Sequence, residues 1–197
     1  MINFDHVSLR FQDKTIFHDL NLDIKKGERV SLIGGSGRGK TTLLKLVQGY
    51  LLPDSGTIKI YDEVLTSKSI HHLRKEMAWI PQNINLPVSK GIELMRLMDI
   101  TDKSTSISIF LEELGLNASI IHDDFSKISG GQKQRIVISI VLSLDKSIIL
   151  LDEPTSSLDD KSIKMLLKVM KSLENKTIVS ASHNQVWNNQ ADKVIEL

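Results

Sequence analysis

Apolar positions along the chain gather first into short runs. Val7 to Phe11, Leu22 to Ile24 and Arg29 to Ile33 read as strands, parted by the turn signals Asp13-Lys14 and Lys25-Lys26-Gly27. From Lys40 to Val47 the spacing becomes helical, Gly49 and Pro53-Asp54-Ser55-Gly56 stop it, and Thr57 to Tyr61 reads as strand again. Strand, glycine cluster and helix in that order predict an α/β core. Between Ile84 and Lys127 the pattern shifts to short amphipathic helices, Gly91 to Met98 and Ile107 to Leu114, joined by polar Thr101 to Ser106, which predicts a small helical lobe. After it come a helix from Gln132 to Ser143, a buried strand Ile148 to Leu151, and a helix from Asp159 to Leu173. In that last helix Ile163, Leu166, Leu167, Met170 and Leu173 share one face by the helical period. Thr177 to Ala181 and Lys193 to Leu197 read as closing strands, and no internal repeat interrupts the series.

Composition narrows the classes. A chain of 197 residues that is 41% hydrophobic and 25% charged buries a sizeable core. Charges nearly cancel, 25 basic against 24 acidic residues, so a nucleic-acid binder working by a broad basic field is not expected. The absence of cysteine excludes disulfides, thiolate metal sites and cysteine nucleophiles. Asp5 and His6 interrupt the apolar core that an export signal needs. The most apolar stretch, Ile136 to Leu144, meets Asp145 and Lys146 well short of the roughly 20 residues that span a bilayer. Any membrane role is therefore expected through a partner.

The chemistry starts at Gly34-Gly35-Ser36-Gly37-Arg38-Gly39-Lys40-Thr41, the pattern G-x-x-x-x-G-K-[ST] between a strand and a helix. A triphosphate carries dense negative charge. The loop answers it with backbone N–H groups that glycines leave unobstructed and with the positive end of a helix dipole. Lys40 adds a point charge for the β and γ phosphates, the Thr41 hydroxyl is placed for magnesium, and Thr42 is a further phosphate contact. A dinucleotide site would need G-x-G-x-x-G, which these glycines do not make. A second motif, Ser147 to Glu153, is an apolar strand ending in two acids. Next to a phosphate loop, Asp152 is expected to hold magnesium and Glu153 to orient or deprotonate an attacking water. Alone, the same pair would read as acids capping a turn.

With these motifs in order the sequence resembles the ATP-binding cassette family, the nucleotide-driven subunits of ABC transporters, over essentially its whole length. The most specific element is Ile128-Ser129-Gly130-Gly131-Gln132, similar to the family's signature LSGGQ with Ile in place of Leu. The resemblance implies a P-loop NTPase (RecA-like) α/β core with an N-terminal antiparallel β lobe and an inserted helical lobe. It also implies one domain over residues 1–197, with the core at 1–84 and 131–197 and the helical lobe at 85–130. Ser129, Gly130, Gly131, Gln132 and, in a loop resembling the family's D-loop, Asp159 are then expected to act across a dimer on the partner's nucleotide. Phe11 looks like the aromatic that stacks on adenine, where Tyr is more usual; packed in a core it would be ordinary. Gln82 is similar to the glutamine that reaches metal and water, and His183 to the histidine that contacts the γ-phosphate. Asn184 stands where the family commonly has Asp. His6, His18, His71, His72 and His122 lack a metal-like grouping.

The implied activity is hydrolysis of ATP with Mg2+, by two such subunits, identical or different, sandwiching two MgATP and moving integral membrane permease subunits from the cytoplasmic face. A stand-alone regulatory ABC ATPase without transport is the alternative, separable by co-purification with a membrane protein. A small-molecule kinase needs an acceptor pocket and lid but no Ser129 to Gln132 motif, which counts against it. Long coiled-coil insertions, zinc cysteines and tandem cassettes, marks of other branches of the superfamily, are missing here.

Overall fold

The computed structural model describes residues 1–12 and 14–197. By its internal contacts the chain forms two compact units, one of residues 1–78, 146–152 and 175–197, the other of 79–145 and 153–174. In chain order the first run holds β1 (Ile2–Phe11), β2 (Lys14–Ile24), β3 (Arg29–Ile33), α1 (Lys40–Val47), β4 (Ser55–Ile60), β5 (Glu63–Val64), α2 (Ile70–Leu73) and β6 (Met77–Ile80). Then follow α3 (Gly91–Leu97), α4 (Ser104–Glu113), α5 (Gly130–Ser143), β7 (Ile148–Asp152), α6 (Asp160–Ser172), β8 (Thr177–Ala181), α7 (Gln185–Asn188) and β9 (Lys193–Glu196).

One sheet is antiparallel, in the order β2-β1-β4-β5, and the other has the order β6-β7-β8-β3-β9, with β7, β8, β3 and β9 paired in parallel. Every residue of β7 and β8 is buried, as expected where a parallel sheet is covered on both faces. The α/β core with an antiparallel lobe agrees with the fold expected from the sequence.

The opening strands run longer than the alternation suggests. Ile2 and Phe4 are buried, then Val7 and Leu9, so the buried set slips by one position between them. The register of β1 against β2 shifts between Phe4 and Val7, where His6 takes φ 52°, and again between Val7 and Leu9, opposite Asp19 with φ 56°. That bulge hides the strand from a period-two reading. Of the expected Asp13-Lys14 turn, Asp13 lies outside the described residues and Lys14 opens β2. β6 was not expected; Met-Ala-Trp-Ile is too short to announce itself.

In the second unit, Leu94, Met95, Ile107, Leu111, Ile121 and Ile136 form apolar packing between helices. Helix α4 begins at Ser104, inside the stretch expected as a polar joint, and α5 begins at Gly130, two residues before the expected Gln132. On α6 the buried face is Ile163, Leu166, Val169 and Met170, while Leu167 and Leu173 are half-buried.

Candidate nucleotide-binding site

Three neighbouring parallel strands end level with one another. Asp152 of β7 pairs with Ala181 of β8, and Ala181 pairs with Leu32 of β3. The chain therefore leaves β3 into the glycine loop, β7 through Asp152 and β8 towards His183 along a single edge. Carboxyl ends of parallel strands are where α/β proteins place their ligands.

At this edge Lys40 is only 7% exposed, and its ammonium donates to Gly34 O (2.7 Å) and Gly35 O (3.2 Å). It also lies 3.1 Å from His183 Nε2. An ammonium only donates, so Nε2 accepts and the imidazole carries its proton on Nδ1. Thr41 Oγ1 donates to Asp152 Oδ2 at 2.9 Å. Burial pushes the Asp152 carboxyl above the usual carboxylate range, and the Thr41 hydroxyl and the charges of Lys45 and Lys40 work in the opposite direction. A hydroxyl and a carboxylate make a hard-oxygen pair, and a pair alone suits magnesium, which takes its other ligands from phosphates and water.

The start of α1 explains the glycines. Gly39 sits at the N-cap with φ +99°, and a Cβ there would stand 2.9 Å from Ile16 Cγ2 and Phe17 Cζ. Both the dihedral and the space demand glycine. No side chain caps α1 and no acid stands in its first turn, which leaves the positive end of the helix open to an anion. Residues Gly35 to Arg38, Ser36 among them, are exposed, and Thr41 and Thr42 are half-buried. Lys14, Ile16 and Phe17 escape a motif reading, because they reach the loop from β2 through pairing rather than spacing. A Cβ on Gly37 would lie 3.8 Å from Lys14 Nζ, which sets a second cation beside the loop. Phe11 is 44% exposed and pairs with Lys14, so it is not the buried core ring that packing alone would make it.

The second unit carries the other candidates. Ser129 caps α5 through a reciprocal pair: its Oγ accepts from Gln132 N (3.1 Å), and Gln132 Oε1 accepts from Ser129 N (2.8 Å). A Cβ on Gly131 would meet Ser157 O at 2.5 Å, so α5 starts in direct contact with the segment after Glu153. Gly130 has open space, its nearest neighbour being Ser157 Cβ at 4.0 Å. Gln82 is exposed and borders a polar cavity of about 270 Å³ with Asn83, Asn85, Gly130, Lys133 and Ser157. Glu153 has φ +49°, strained for a side chain of its size and doubly so before Pro154. Asp159 caps α6, its Oδ1 accepting from Ser162 N at 2.8 Å, and those Ser162 bonds hold its carboxyl below the usual range.

The chain matches the family model described as ABC transporter over residues 17–156. It belongs to the ABC transporter family. As an ABC transporter ATP-binding subunit it is an ATPase. Among relatives, the energy-coupling factor transporter ATP-binding protein EcfA1 of Leuconostoc mesenteroides is 30% identical over 98% of this chain and 76% of its own length. EcfA1 of Ligilactobacillus salivarius is 33% identical over 100% of this chain and 74% of its own. A solved ABC cassette, MJ0796, in a dimeric post-hydrolysis state bound to ADP and phosphate, superposes with a TM-score of 0.88 at 25% identity, covering 100% of this chain and 94% of that one.

Proposed function

We propose that this ABC ATPase pairs with a second ATPase subunit, identical or different, around two MgATP and drives separate transmembrane permease subunits from the cytoplasmic face of a membrane. No helix among the described residues is long and apolar enough to cross a membrane, and the EcfA1 relatives are named as the ATP-binding proteins of transporters. The reading keeps residues 1–197 as a single ABC ATPase domain, with the helical lobe at 85–130.

The observation that carries it is the convergence of Lys40, Thr41, Asp152 and His183 at the ends of β3, β7 and β8. In our reading Phe11 stacks on adenine, and residues Gly34 to Thr42 wrap the phosphates. On binding, Lys40 exchanges the carbonyls of Gly34 and Gly35 for phosphate oxygens, and His183, released from Lys40, turns to the γ-phosphate. Thr41, Asp152 and the Gln82 amide oxygen would hold magnesium, which would supply neutralisation of the charge between the phosphates. Glu153 takes the proton of the attacking water. Ser129, whose oxygen accepts from the helix start, keeps its O–H for an outside acceptor, and with Gly130, Gly131, Gln132 and Asp159 it meets the nucleotide held by the partner.

Replacing Lys40 tests the site. Lys40→Ala removes the cation of the cradle, and calorimetric titration should show MgATP affinity falling by at least about tenfold, the loss of one charge-assisted bond. Undiminished affinity in the folded variant would contradict the assignment.

A further inference from the structure

Gln134, one turn into α5, is a polar side chain in a buried place that the chemistry above does not use. It is 3% exposed. Its Nε2 donates to Pro154 O at 3.0 Å, while its Oε1 is buried and has no partner among the described residues. A side chain kept for stability alone would satisfy both ends or be apolar, since a buried acceptor without a donor is costly and rare. The bond it does make falls on the residue after Glu153.

Glu153 holds a positive φ immediately before a proline. Such a conformation persists only where its surroundings over-determine it. Two of the bonds around it are local, Ser156 N to Glu153 O and Leu158 N to Thr155 O. The Gln134 bond comes from outside the turn, from a fourteen-residue helix whose start lies against Ser157. Gln134 also lines the cavity that Gln82, Lys133 and Ser157 border, so side-chain donors stand near the amide whose oxygen is unfilled.

We propose that Gln134 is a positioning residue for hydrolysis, holding through Pro154 the strained turn that presents Glu153. This rests on Glu153 as the group that activates water. Gln134 touches neither nucleotide nor water; it fixes where the carboxylate points, and its free acceptor takes a donor from the cavity wall when nucleotide is bound.

The test measures ATP turnover of the full chain as wild type, Gln134→Met, Glu153→Gln and the double variant. Methionine keeps the length and removes both polar atoms. Gln134→Met should lower kcat about tenfold while KM for ATP stays within twofold. In the Glu153→Gln background the same change should move kcat by less than twofold, because a residue that acts only through Glu153 has nothing left to position. An unchanged kcat in Gln134→Met would overturn the proposal. So would a loss of equal size in both backgrounds, or a rise in KM matching the fall in kcat. Should Gln134→Met lose its cooperative thermal unfolding, Gln134→Leu takes its place: it fills similar space and has no group to donate to Pro154 O, and the same kcat loss is expected, with unchanged kcat again contradicting the role. Near-normal turnover in Glu153→Gln alone would instead strike at the reading of Glu153 itself, which separates the two failures.

Discussion

Helices α1 and α5 both start in a glycine-rich segment, and each faces the problem of unsatisfied N-terminal amides. They solve it in opposite ways. At α1 the N-cap is Gly39, no side chain caps the helix, and the first residue, Lys40, is buried with its charge resting on loop carbonyls. At α5, Ser129 and Gln132 close a complete capping box, and Ser129 and Gly130 lie exposed. An uncapped start beside a buried cation is incomplete without an anion. A capped start is stable without one, and only its hydroxyl proton and glycine face remain to offer. The contrast suits a site that holds its own nucleotide and a surface that meets someone else's.

The largest expected effect separates binding from chemistry. Glu153→Gln leaves the start of α1 untouched, so MgATP should bind as before while hydrolysis slows by roughly 10² to 10⁴, the usual worth of a positioned acid or base. Steady-state phosphate release together with calorimetry reads both halves. Near-normal turnover would pass the water-activating role to His183 or Gln82.

A smaller effect probes α5. Gly130→Asp finds room on its own chain, but across a dimer it sets a carboxylate against γ-phosphate, where like charges at about 4 Å cost about 4 kcal/mol at an effective dielectric of 20. ATP-dependent dimers of the Glu153→Gln chain, followed by light scattering, should dissociate when this change is added. Persistent dimers would remove α5 from the nucleotide interface.

The smallest effect concerns Asp152, whose folded-state pKa burial raises above its unfolded value. Folding then favours the protonated carboxyl, so this group's contribution to stability falls as pH rises through that raised pKa. Without nucleotide or metal, Asp152→Asn should therefore unfold at a slightly higher temperature than wild type near neutral pH, and the gap should close in acid. Thermal unfolding across pH checks it. A variant less stable at every pH would show that the carboxylate is held comfortably and that the α1 side is not waiting for a ligand.

The glycine loop before α1 and the apolar strand that ends at Asp152 were legible in the sequence because both motifs are contiguous: a tight turn into a helix needs glycines at fixed offsets, and an apolar strand must end where its acids begin. The long β1–β2 pair was not, because the bulge at His6 and Asp19 breaks the alternation that would have revealed it. Lys14, Phe17 and Gln134 escaped for a related reason. Each reaches its place by pairing or packing over a long stretch of chain, and nothing in local spacing marks a lysine in a strand or a glutamine in an apolar helix as special. The direct Thr41–Asp152 bond joins positions 111 residues apart, and register, not motif, sets it.

The chain is expected to bind its own nucleotide at the start of α1 and not at the start of α5. Calorimetric titration of MgATP into Gly130→Asp, at concentrations where the chain is monomeric, tests this most directly. A Kd within about twofold of wild type is expected; a weakening comparable to that of Lys40→Ala would place the start of α5 in the chain's own site.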